Sequence, residues 1–304
     1  MGLIESMFTP DMLGKIFAFL CALFWASAVI LFKKSGEKMK PLSLNLYKSL
    51  VSTILLIPVL IIAGTDLFPE GLIVRDYLIL ILSGILGIAV SDTLFFKSLN
   101  LLGAGLTAIV DCLYSPIIIL LSFIILMNPV SVLELIGGLL VISAILVATL
   151  KLKEKERSSR DLLFGFLYGA GAMTVMGFSV TIMKPVLDRT SSLWVTELRL
   201  IAGTIGLMMM ASLSKDRGAI FTSLTKKSNF KYAFPATILG SFFALILWVS
   251  AFKMTSVNSA AILNQTNTIF IVVFASLFLK EKFTLRKLLA TILGIGGSVV
   301  VLLG

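Results

Sequence analysis

Apolar runs of about 20 residues recur from one end of this chain to the other, too often for a water-soluble fold to bury them. Reading for such runs gives the approximate segments Leu13–Phe32, Ser43–Ala63, Tyr77–Phe96, Ala104–Leu126, Val132–Leu150, Leu162–Val186, Leu193–Leu213, Tyr232–Ala251, Val257–Leu279 and Leu285–Leu303. Each is long enough to carry a helix through a hydrocarbon core about 30 Å thick, where backbone N–H and C=O groups must find partners within the protein. Composition agrees: 58% of the residues are hydrophobic, 14% are charged and mean hydropathy is +1.05. Soluble domains carry nearer ~25% charged residues. The expected fold class is an all-α integral membrane protein with ten transmembrane helices.

What the chain lacks narrows its chemistry. It has no histidine, the commonest metal ligand and general base. Cys21 and Cys112 both sit inside apolar runs and read as small packing residues, so no metal site and no disulfide are expected. No Gly-rich phosphate loop of the Walker type is present, which argues against ATP hydrolysis and leaves no cofactor to expect. The net charge of +10 does not point to nucleic acid, because the basic residues flank apolar runs. The first run could pass for a secretion signal, since Ala26-Ser27-Ala28 offers small residues at a cleavage position. Glu5 and Asp11 precede it and the run continues to Phe32, so a retained helix is expected.

The connections between runs are mostly short. The longest polar stretch, Lys151–Asp161, alternates in sign and divides the chain into a first five-helix repeat (1–150), a polar linker loop (151–161) and a second five-helix repeat (162–304). Shifting by 153 residues lays Gly87 on Gly240, Ala108 on Ala261, Leu126 on Leu279 and Asp111 on Asn264. A shift of 151 lays Lys48 on Arg199. An odd number of helices per repeat makes the second copy enter the membrane from the opposite side, the inverted-repeat plan of many secondary transporters. Alternate inter-helix loops hold 19 Lys and Arg against 5 on the other side, which places both termini outside the cytoplasm.

Several stretches resemble the ten-helix, EamA-like branch of the drug/metabolite transporter superfamily. They are Phe24-Trp25-Ala26-Ser27, Ser91-Asp92-Thr93-Leu94-Phe95-Phe96, Ser115-Pro116 and Glu197-Leu198-Arg199-Leu200-Ile201-Ala202. Ser259-Ala260-Ala261-Ile262-Leu263-Asn264-Gln265, running on to Leu279-Lys280-Glu281-Lys282-Phe283-Thr284, is similar to the family's ninth helix and the turn after it. The chain departs from that pattern with Met127-Asn128-Pro129 in place of an acidic turn, and with Ile269 where the ninth helix has proline. Its charge bias also opposes the family's usual cytoplasmic termini. The resemblance implies a carrier of small organic solutes (metabolites, amino acids or xenobiotics), often an exporter, with a central cavity lined from both halves. A prokaryotic cytoplasmic membrane is the expected location.

Charged residues inside a membrane helix cost about 2.5–3.5 kcal/mol on insertion scales, so they face a cavity or a partner. Lys48, Asp92 and Asp111 lie at comparable depth from one side, and Glu197, Arg199, Asn264 and Asn267 form a corresponding group on the other. Two such clusters suit the two mouths of an alternating-access carrier. Lys48 could equally snorkel to the headgroups. Asn264, Asn267 and Thr268 share a helical face by spacing. Trp25 and Trp248 suit packing or a cavity wall. Pro116 should kink its helix, breaking it just past Asp111, and serve as a hinge. Gly165/Gly169, Gly137/Gly138 and Gly294/Gly296/Gly297 read as close-packing surfaces. The candidate substrate-binding or coupling residues are therefore Asp111, Asp92, Lys48, Trp25, Tyr114, Trp248, Asn264, Gln265, Asn267, Glu197 and Arg199. The expected partners are a small-molecule substrate, the lipid bilayer and a coupling proton. A membrane-embedded enzyme and a non-transporting scaffold or sensor are the alternatives, and a channel stays open. The first is disfavoured by the missing histidine and paired acids, the second by how little chain lies outside the runs.

Overall fold

Proline and hydroxyl caps open the first helices. In α1 (Pro10–Gly36), Thr9 Oγ1 accepts the Met12 N–H at 3.3 Å, and Pro10 occupies the first helical position, where a missing N–H costs nothing. In α2 (Pro41–Ile62), Pro41 takes that position after Lys40. The structure, a computed structural model, describes residues 9–127, 131–149 and 158–302. Glu5, the Asn128-Pro129 turn and residues 151–157 of the polar linker lie outside that range. No strand occurs among the described residues.

The remaining helices follow in order. α3 (Val74–Gly84) runs through a π-helical segment (Ile85–Ser91) into α4 (Asp92–Asp111), followed by α5 (Tyr114–Leu126) and α6 (Val132–Thr149). After the linker come α7 (Ser159–Leu187), α8 (Ser192–Leu213) and a short loop helix α9 (Arg217–Thr225). A 3₁₀ turn (Lys227–Asn229) leads to α10 (Phe230–Ala236), which passes through a second π-helical segment (Thr237–Ala244) into α11 (Leu245–Met254). α12 (Val257–Asn264), α13 (Asn267–Leu279) and α14 (Leu285–Leu302) end the fold. Among the described residues, Pro10–Gly36, Pro41–Ile62, Val74–Asp111, Ser159–Leu187, Ser192–Leu213 and Lys227–Met254 are long and apolar enough to cross a membrane on their own. Tyr114–Ile125, Leu135–Ala144 and Asn267–Leu279 are shorter apolar helices.

The core is largely apolar, but so is the outer surface, and buried polar groups collect inside. On α2, Asn45, Lys48, Ser49 and Ser52 recur at helical spacing and face inward, whereas Ile54, Ile57 and Ile61 face out. Leu135, Leu139, Ile142 and Leu146 make a similar outward stripe on α6, and Ile201, Ile205 and Met208 on α8. Such continuous apolar faces suit lipid, and the polar groups must be satisfied inside. With no hydrophobic force between helices in lipid, close contact and hydrogen bonds hold the bundle. α14 packs on α6 through glycine, because a Cβ at Gly297 would lie 2.6 Å from the Gly137 carbonyl oxygen. Gly165 and Gly169 do the same for α7 against Leu102 and Val110, while Gly296 faces open space.

The 38-residue apolar stretch Val74–Asp111 is not one straight helix. Gly103 stands at φ 78, ψ 173, a conformation essentially closed to other residues. Ser98 and Val110 would be about 18 Å apart along a straight helix. Both instead approach Gly169, at 2.9 and 2.7 Å from where its Cβ would stand. The chain therefore doubles back at Gly103, at the boundary expected between the third and fourth apolar runs.

The break expected just past Asp111 stands there. The helix ends at Asp111, the N–H groups of Cys112 and Leu113 turn back to Ile109 and Val110, and α5 starts at Tyr114. Pro116 thus falls in the first turn of a new helix, where a proline is tolerated. The second half breaks at the position 153 residues on, between Asn264 and Asn267, although Ile269 replaces proline there. The two π segments correspond at nearly the same offset. A proline is therefore not required for such a break.

Candidate functional site

A cavity opens where both π segments and both helix breaks converge. Its empty space, counting the mouth, is about 840 Å³. The first π segment brings Ile88 and Ser91 to its wall, and the second brings Gly240, Ser241 and Ala244. π turns are rare and concentrate at functional positions. Here the carbonyls of Ile88 and Ala89 accept from Asn45 Nδ2 at 2.7 and 3.4 Å, and Ser91 Oγ donates to the Ala172 carbonyl at 2.8 Å. The widened turn is thus tied to two neighbouring helices, to α2 through the Asn45 side chain and to α7 through the Ala172 carbonyl.

Lys48 does not snorkel. It is 3% exposed, and its Nζ lies 2.7 Å from Asp92 Oδ2 within the cavity wall. Asp111 does not join that pair, contrary to the expected grouping. Its carboxylate accepts from Asn267 Nδ2 at 3.5 Å, and its backbone carbonyl accepts from Gln265 Nε2 at 3.0 Å. The break in one half is therefore stitched to the break in the other. The helix ends at Asn264 and restarts at Asn267, so the expected shared face of Asn264, Asn267 and Thr268 is interrupted. Thr268 instead donates to the Ala108 carbonyl at 3.2 Å, away from the cavity lining.

Arg199 reaches the same cavity from α8. It is 2% exposed, its Nη2 donates to Ser179 Oγ at 3.1 Å, and its guanidinium carbon sits 5.7 Å from the centre of the Trp248 ring. Trp25 packs on Phe95 at 5.6 Å and still lines the cavity, as do Tyr114 and Trp248. The two polar groups read from sequence as opposite mouths thus surround a single chamber. Glu197 is the exception. It is buried but absent from the lining, because two residues along a helix turn it to another face.

The sequence reading missed Cys21, Phe95, Met173, Met176 and Ser241 in the wall. Met173 and Met176 stand three apart on α7, which hints at a common face but not at which neighbour it meets. Also missed was Glu281, whose carboxylate oxygens accept the N–H groups of Ala104 at 2.8 Å and Gly105 at 3.1 Å. It caps the helix restarted at Gly103 from a turn some 177 residues away. No local signal marks such a long-range cap.

The comparisons with known proteins bear on this architecture. The model of the EamA-like transporter family matches the chain twice, over residues 12–150 and 163–303. The chain belongs to the EamA-like transporter family. It is thus a multi-pass membrane protein of a transport family, with a small-molecule substrate and a lipid surround, and its motif resemblance to drug/metabolite transporters holds. A protein of Archaeoglobus fulgidus named an uncharacterized transporter is 23% identical over 278 residues, covering 90% of this chain and 92% of its own. A crystal structure superposes with a TM-score of 0.70 at 15% identity, over 95% of this chain and 96% of its own, and that likeness concerns the fold.

Proposed function

We propose that this chain is a secondary transporter that moves a small organic solute through the central cavity by alternating access. The observation that carries the reading is the meeting of two broken helices, at positions 153 residues apart, in one polar chamber inside the membrane. Discontinuous helices expose backbone polar groups at membrane depth only where a cavity receives them, and paired breaks from two halves are a carrier's device. In this reading the chain crosses the membrane ten times. Repeats 1–150 and 162–304 are inverted copies joined by the 151–161 loop, and both termini are outside the cytoplasm. Export across a prokaryotic cytoplasmic membrane is taken as the direction, on the family resemblance.

Within the chamber, Lys48 and Asp92 form a neutral pair, Asp111 joins the two breaks, and the Trp, Tyr and Met side chains supply an apolar wall. Asp111 is the proposed coupling group, since a carboxylate at the joint of two broken helices can exchange a proton as they part. The test is uptake by proteoliposomes of solutes that stabilise the purified protein, under imposed pH and solute gradients and without ATP. Counterflow of such a solute is the expected result. A ligand that binds in the cavity and never crosses under any gradient would refute the reading.

A further inference from the structure

Four charged side chains line the cavity: Lys48, Asp92, Asp111 and Arg199. Their partners within the protein are unequal. Lys48 and Asp92 neutralise each other at 2.7 Å, and Asp111 takes the Asn267 amide. Among the described residues Arg199 has one hydrogen-bond partner, the neutral Ser179 hydroxyl on Nη2; its Nε and Nη1 have none, and its guanidinium carbon faces the Trp248 ring at 5.7 Å. No carboxylate lies within ion-pair distance of it among the described residues. Its place is not a loose one: the backbone of Arg199 closes on Gly84, where a Cβ would come within 2.5 Å of its carbonyl oxygen, and Nη2 lies 2.9 Å from the place of a Cβ on Gly87. Glycine at both positions makes the room.

An unpaired guanidinium away from bulk water is costly, and Arg is the side chain best shaped to receive an oxyanion. Two hydroxyls of the same cavity lining, Tyr114 and Ser241, are also buried without a hydrogen-bond partner among the described residues and can add donors. The lining also holds the apolar side chains of Trp25, Phe95, Met173 and Met176, and Trp248 stands against Arg199 itself. We propose that Arg199 is the anion subsite of the cavity, and that the transported solute is a small organic anion with an apolar, ring-bearing body. This rests on the cavity being the substrate site. The anionic group lies on Arg199 with Tyr114 and Ser241 beside it, and the ring lies against the Trp and Met wall.

The experiment compares three probes of one shape: phenylacetate, neutral phenylacetamide and the phenethylammonium cation. Binding to the purified protein in detergent is read by thermal shift and by tryptophan fluorescence, and the labelled acid is followed into proteoliposomes. Phenylacetate should bind at least about tenfold more tightly than the amide, the difference that a charge-assisted hydrogen bond confers. Arg199→Gln should erase that preference. Arg199→Lys keeps the charge without the planar fork, and should retain the preference for the acid with weaker binding, which serves if the Gln variant does not fold. The proposal is overturned if the amide or the cation binds as well as the acid, if no probe binds, or if Arg199→Gln leaves the preference intact. Arg199-dependent binding of phenylacetate without uptake would uphold the anion subsite and count against transport, so the two readings fail separately.

Discussion

Lys48 and Asp92 face each other at 2.7 Å from α2 and α4, with side chains 4% and 13% exposed. Removing one member of such a pair leaves an uncompensated charge and costs about 3–5 kcal/mol, whereas replacing both with apolar groups is often neutral. Lys48→Met and Asp92→Asn should each lower the unfolding temperature in detergent, and Lys48→Met/Asp92→Leu should recover most of the loss. Additive single effects would mean that the two residues are not coupled.

Gly103 turns the chain back at φ 78, ψ 173. Gly103→Ala should destabilise by about 1–3 kcal/mol, the strain of a side chain in that region. Gly171 is a control on α7, where a Cβ would meet only Leu94 at an ordinary 3.7 Å. Gly171→Ala should be neutral or stabilise by up to about 1 kcal/mol, since alanine is the better helix former. Thermal unfolding of the two variants in parallel checks both signs.

Glu281 caps the helix that restarts at Gly103 and also pairs with Lys287 at 3.3 Å. Glu281→Ala removes acceptors for two backbone donors and strands Lys287, so a loss of about 2 kcal/mol is expected. Glu281→Gln keeps one acceptor and should lose less. Equal stability of the three proteins would show that the cap contributes nothing.

Asp111→Asn keeps the shape and the hydrogen-bonding reach of the carboxylate, and puts into the first half the residue that Asn264 already supplies in the second. If Asp111 couples a proton to the solute, the variant should fold normally and bind solute, while its proteoliposome uptake loses dependence on the imposed pH gradient. Uptake that responds to the gradient as the parent does would assign Asp111 to the joint between the broken helices alone.

The sequence by itself determined where this chain meets lipid and which residues are too polar for it. Hydropathy is additive along a run of about 20 residues, so membrane segments show without knowledge of their neighbours. The cost of a polar group in hydrocarbon is also local, which is why Lys48, Asp92, Asp111, Arg199 and Asn264 could be singled out and all stand in one cavity. Pairing is not local. That Lys48 meets Asp92, that Asp111 meets Asn267 and that Arg199 meets no carboxylate among the described residues follow from how α2, α4, α8 and α13 pack, and no spacing within one helix encodes it. Pro116 shows both sides of this: it marked locally the break just past Asp111, yet the break recurs at Gln265-Thr266 with no proline to mark it. A helix can end at membrane depth only where other helices supply partners for its freed backbone groups. Gln265 donating to the Asp111 carbonyl is such a partner, and tertiary structure alone brings it there.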